Sequence, residues 1–142
     1  MLNSIINVDL HIHSKISEYK EYKIKTKDNV EISIVENSDD KHIDVLFDKL
    51  NEKNINLFAF SDHNRFDSNL YKLAKEKIET HKWKNILGIL PAVEFDVQIE
   101  KNKPSCHIIT VFDVNDEKQL LKIEEELNND KIGKEDYYTL ER

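Results

Sequence analysis

At 142 residues, with 35% charged and 39% hydrophobic side chains, the chain has the length of one globular domain able to bury a core and not the composition of a disordered segment. A formal charge of -7 argues against a nucleic-acid binder held by a broad basic face, because phosphate contacts need clustered Lys and Arg. It leaves open a nucleic-acid substrate met through bound cations, which reverse the field inside an acidic cleft. The single cysteine, Cys106, permits no internal disulfide, and no stretch approaches the roughly 18 apolar residues of a membrane span. The expectation is a cytoplasmic protein with no membrane partner.

The first predicted strand runs from Ile5 to His13 and is apolar enough to be covered on both faces, as in a parallel sheet. His11 and His13 fall at its C-terminal end, where α/β proteins build their sites, and strand alternation turns both imidazoles to one side. Such a pair either shares a divalent metal with a distant carboxylate or forms a hydrogen-bonded couple. From Ser14 to Asn37 the pattern alternates about the turn residues Lys27-Asp28-Asn29, which predicts an inserted β-hairpin near 20–36. Its lysines, Lys20, Lys23, Lys25 and Lys27, read as a solvated strand face or as a flap that attracts phosphate.

Ser38 and Asp39 are caps for a helix to about Asn54, whose Ile43, Leu46, Phe47 and Leu50 form the buried stripe. His42 is expected among its solvated positions. Leu57-Phe58-Ala59-Phe60 is a short buried strand ending in Ser61-Asp62-His63-Asn64, again with polar residues at the C-terminal end. Asp67 or Ser68 caps a second helix to about Lys82. A third strand, Ile86 to Val97, is interrupted by Pro91 and carries Glu94 in an apolar run, where a carboxylate is costly unless paired or metal-bound. A polar turn leads to a fourth strand, Cys106 to Val114, with His107 near its start. Asn115 caps a third helix, and residues 131–142 are expected to form a patternless tail. Cys106 reads as a small buried residue in preference to a catalytic thiol.

Four stretches in this order, Asp9-Leu10-His11-Ile12-His13-Ser14, Phe60-Ser61-Asp62-His63-Asn64, Ala92-Val93-Glu94-Phe95 and His107-Ile108-Ile109, resemble the first motifs of the polymerase and histidinol phosphatase (PHP) superfamily. The likeness is greatest to the N-terminal PHP regions of bacterial proteins that join this domain to a large ATPase. It implies an α/β fold, a distorted β/α barrel with metal ligands at its C-terminal rim, over residues 1–130. It also implies a site of two or three divalent ions (Mn, Zn or Fe) that hydrolyses phosphoesters. By this resemblance His11 and His13 bind a first ion, Glu94 bridges it to a second that His107 also binds, and Glu18 with His63 binds a third. Asp9 and Asp62 orient the imidazoles from behind, and no protein nucleophile is implied.

The family's later motifs, a histidine after another strand and an Asp-x-His near the end, have no counterpart, since no histidine follows His107. The expectation is therefore about half of the usual barrel, whose open strand edges call for a missing segment, a partner or self-association. Two functional readings follow. One is a metal-dependent phosphoesterase or nuclease, complete as part of a larger or split protein acting on nucleic acid or nucleotides. The other is a non-catalytic metal-binding or assembly module docking on an ATPase or other subunit. A third, plainer reading makes the histidines hydrogen-bonded features of a small α/β domain.

Overall fold

Two successive strand–helix–strand crossovers set the architecture, and a hairpin strand extends it. The computed structural model describes residues 5–17, 23–25, 31–33, 38–99, 103–129 and 138–139. Strand β1 (Val8–Ile12) is followed by the short antiparallel pair β2 (Lys23–Lys25) and β3 (Glu31–Ser33), then by α1 (Asp39–Glu52). β4 (Leu57–Phe60), α2 (Ser68–Glu79), β5 (Gly88–Gln98), β6 (Cys106–Val111), α3 (Glu117–Asn129) and β7 (Tyr138–Thr139) complete the order. The main sheet runs β1-β4-β5-β6. β1, β4 and the first part of β5 are parallel, whereas β6 is antiparallel to β5. The chain is thus α/β, as expected, and the hairpin is a separate two-stranded sheet.

The helices form because each carries an apolar stripe and a capped start. Ser38 accepts a hydrogen bond from the Lys41 amide at the head of α1, and Asp67 accepts from Leu70 at the head of α2. At α3 the cap is Asp116, which accepts from the Gln119 amide, one residue later than the expected Asn115. α2 ends three residues before the expected Lys82, because His81 takes the left-handed conformation at φ 56°. Ile43, Phe47 and Leu50 of α1 pack with Phe58 and Phe60 of β4, Leu70 and Ala74 of α2, and Trp83, Ile89 and Val93. Each of the Ile, Leu, Val and Phe side chains among them contributes about 1.5–3 kcal/mol of apolar burial. His42 departs from expectation: only 4% of it is exposed, because the buried stripe of α1 is broad enough to take it in beside Ile43.

Two irregularities position the polar residues. In β1, Asp9 pairs with Phe58 but Ile12 pairs with Phe60, so three residues span two and the strand bulges just before its end. Ile12 thereby packs on the core, and His11 and His13 flank it. In β5, Pro91 does not interrupt the strand. It sits at the last register pair with β4, Phe60↔Pro91, where its missing N–H coincides with the end of that ladder, and the pairing with β6 begins at Ala92. The stretch after 130 also departs from expectation. Tyr138 and Thr139 pair with Val97 and Gln98, and the Tyr138 ring meets Phe95 edge-on with centroids 5.0 Å apart. This continues along the edge that β4 has left.

Candidate metal centre

Beyond the end of β4 the chain is stitched onto β5. The Glu94 amide donates to the Asp62 carbonyl (3.1 Å) and the Asn64 amide donates to the Glu94 carbonyl (2.8 Å). Asn64, in the left-handed region at φ 52°, also accepts from the Asp96 amide through its side-chain oxygen (3.0 Å). Asn tolerates this backbone well. These bonds hold His63 level with Glu94 as an isolated bridge. Because Glu94 and Asp96 are two residues apart on one strand, they share a face. His107, directly opposite Asp96 in the antiparallel ladder, lies diagonally across from Glu94 on that face.

Glu94 is the centre of the cluster and is completely buried. Its Oε2 lies 2.7 Å from His13 Nε2, 3.1 Å from His11 Nε2 and 3.5 Å from His63 Nδ1. Its Oε1 lies 2.6 Å from His107 Nδ1. Burial pushes the Glu94 carboxyl up, but the hydrogen bond from His13 and the charges of His63, His11 and His107 outweigh it and hold the group below its ordinary value. The rings stack edge to face in a row: His11–His13 centroids are 5.0 Å apart, His13–His63 4.4 Å and His63–His107 5.3 Å. At its two ends His11 and His107 are half exposed, at 54% and 50% of their side chains, whereas His13 and His63 are largely enclosed.

Asp62 and Asp9, expected behind the imidazoles, act on the backbone that carries them. Asp62 accepts from the Ser14 amide and the Ser14 hydroxyl, both at 2.7 Å, which pins the turn after β1 to the end of β4. Burial pushes the Asp62 carboxyl up to about 6 against the lowering effect of those two bonds. Asp9 accepts from the His11 amide at 3.1 Å. The resemblance places His63 with Glu18 on a third ion. The structure groups His63 with Glu94 and His107, and Glu18 lies outside the described residues, as do Lys20 and Lys27. Cys106 is half-buried and, one residue from His107 on the strand, is on the opposite face from the cluster. Asp96 is the residue that sequence reasoning missed. Its signal was the alternation Glu94-Phe95-Asp96.

Two overlapping donor sets result, His11, His13 and Glu94, and His63, Glu94 and His107, with one ligand atom from each residue within 4.8 Å of the others in its set. Among the described residues, Glu94 Oε1 and Asp96 Oδ1 are buried without an aligned hydrogen bond, although a His107 nitrogen lies within 2.6 Å of the first and 2.9 Å of the second. Imidazole together with carboxylate is a donor set that suits a divalent metal. These residues could therefore hold a metal ion. No family model, curated protein or solved structure matches the chain. A functional reading therefore rests on the chemistry of the donors. Among the described residues no helix is long and apolar enough to cross a membrane.

Proposed function

We propose that the chain provides the metal centre of a metal-dependent phosphoesterase, a half-barrel of PHP type acting on nucleic acid or nucleotides in the cytoplasm as part of a larger or split assembly. The observation that carries this reading is Glu94, a fully buried carboxylate with four imidazoles within 3.5 Å, its Oε2 beside His11, His13 and His63 and its Oε1 beside His107. In this reading His11, His13 and Glu94 would hold one divalent ion (Mn, Zn or Fe), and His63, His107 and Glu94 would hold another. Closely spaced ions, when bound, neutralise a phosphate and lower the pKa of a coordinated water.

The chain's own residues do the rest. Ser14 and Asp62 fix the turn that carries His13, and Asn64, bonded to Glu94 and Asp96 of β5, fixes His63 against that strand. The half-exposed His11 and His107 mark the side open to a substrate. No side-chain nucleophile is required. The test is hydrolysis of phosphomonoester and phosphodiester substrates by the metal-loaded chain and by Glu94→Gln. Metal-dependent turnover abolished in the variant supports the reading, and turnover that survives Glu94→Gln refutes it.

The second reading, a non-catalytic module that docks on an ATPase, another subunit or a second copy, draws on the edges of the sheet. Val8 on the edge strand β1, preceded by the exposed Ile5 and Ile6, and Ile108 and Val111 on the edge strand β6 place apolar surface in solvent at both ends. Stoichiometric metal without hydrolysis, together with concentration-dependent association in sedimentation equilibrium, would favour it.

A further inference from the structure

His107 faces two carboxylates at once. Its Nδ1 lies 2.6 Å from Glu94 Oε1, and its Nε2 lies 2.9 Å from Asp96 Oδ1. A metal-bound imidazole is neutral, with one N–H and one lone pair, and an ionised carboxylate can only accept. Glu94 is the carboxylate common to both donor sets, and Nδ1 is the His107 nitrogen on its side, the one placed to meet an ion that Glu94 would share. The other nitrogen, Nε2, must then carry the proton, and the acceptor within reach among the described contacts is Asp96 Oδ1, 2.9 Å away and needing only alignment of the ring to form the bond. Asp96 is itself held in place, since it is mostly buried, directly opposite His107 in the ladder, and its amide donates to Asn64.

We propose that Asp96 is the positioning residue of the second ion: it takes the Nε2 proton of His107 and so commits Nδ1, beside Glu94, to the metal. This rests on the metal reading above. It adds a residue and a tautomer that the donor sets do not contain. The arrangement is that of a carboxylate behind a metal-bound histidine, in which removing the carboxylate costs 10–100-fold in metal affinity. It also explains why an acid stands two residues beyond Glu94 on the same face. The neighbouring acids and histidines of the cluster, His63 with its Nδ1 3.8 Å from Asp96 Oδ2 among them, are left in place by the test.

The experiment is zinc titration of the full chain, wild type beside Asp96→Ala, Asp96→Asn and Glu94→Gln, with the circular dichroism melt of each metal-free form as the check on folding. Long-range 15N–1H spectra of the zinc-loaded forms assign the nitrogens of His107. The expected result is two classes of zinc in wild type and a 10–100-fold weaker second class in Asp96→Ala with the first unchanged. Asp96→Asn, which keeps an acceptor oxygen, should restore part of the loss. The wild-type spectrum should show a zinc-bound Nδ1 and a protonated Nε2. Wild-type zinc binding with equal affinity in a folded Asp96→Ala, or zinc on Nε2, overturns the role of Asp96 while leaving the metal reading intact. Failure of the wild type to bind zinc overturns the metal reading and this inference together, and is distinguished by being independent of position 96.

Discussion

The helix-covered side of the sheet and the strand-end cluster are both closely packed, yet they are held by opposite physics. On the helix side, Phe47 meets Phe58 and Trp83 edge-on at 5.6 and 5.0 Å, and burial of hydrocarbon accounts for the arrangement without further partners. On the other side, a carboxylate with no solvent exposure is ringed by imidazoles, an arrangement that costs several kcal/mol of desolvation unless charge is supplied to match it. The first region explains why the chain folds. The second is a cluster of donors that could hold a metal ion.

Breaking each region separately should therefore give different signatures. Phe47→Ala removes a fully buried ring from the centre of the apolar cluster, and a loss of about 3–5 kcal/mol in urea unfolding is expected, the same with or without metal. Glu94→Gln should behave in the reverse way. Wild type at a metal concentration 100-fold above its dissociation constant gains about 2.7 kcal/mol of stability. The variant should lose that metal-dependent rise in melting temperature while its metal-free melt stays cooperative. Ser14→Ala tests the link between the two regions. It deletes one of the two hydrogen bonds that Asp62 receives inside the protein, and a cost of about 1–3 kcal/mol is expected in denaturant titration, accompanied by weaker metal binding as the turn after β1 loosens.

The smallest effect is expected at the helix surface. Asp44 accepts from Lys77 at 2.6 Å and Lys82 at 3.4 Å, joining α1 to the end of α2 and the segment after it. The hydrogen bond from Lys77, opposed by burial and helped by Lys82, holds its carboxyl below the ordinary value. The folded form thus binds its proton less readily than the unfolded form. The contribution is present above the ordinary carboxylate range and lost as pH falls through the lowered folded value. Because the pair is partly exposed, Asp44→Asn should cost less than about 1 kcal/mol at neutral pH and nothing at acid pH, as read from melts across the acid range.

Much of this comparison was legible in the chain itself. Apolar stripes at helical spacing located α1, α2 and α3, and the capping residues fixed their starts at or within a residue of those observed, because these are local effects. His11, His13, His63, Glu94 and His107 stood out because polar residues at strand ends or inside an apolar run need a reason. What was not legible depends on register. The bulge that turns Ile12 to the core, the ladder that sets His107 opposite Asp96, and the pairing of Tyr138 with Val97 are contacts between distant segments, and no local pattern encodes them. His42 was misjudged for a related reason, since the width of a buried face is set by what packs on it.

The most direct measurement is the metal content of the purified chain by elemental analysis under metal-replete conditions, for wild type and Glu94→Gln. The account predicts two divalent ions per chain in wild type and their loss in the variant. A wild-type chain that folds, melts cooperatively and holds no metal would contradict it, and would leave Glu94 and its four imidazoles as a hydrogen-bonded polar cluster.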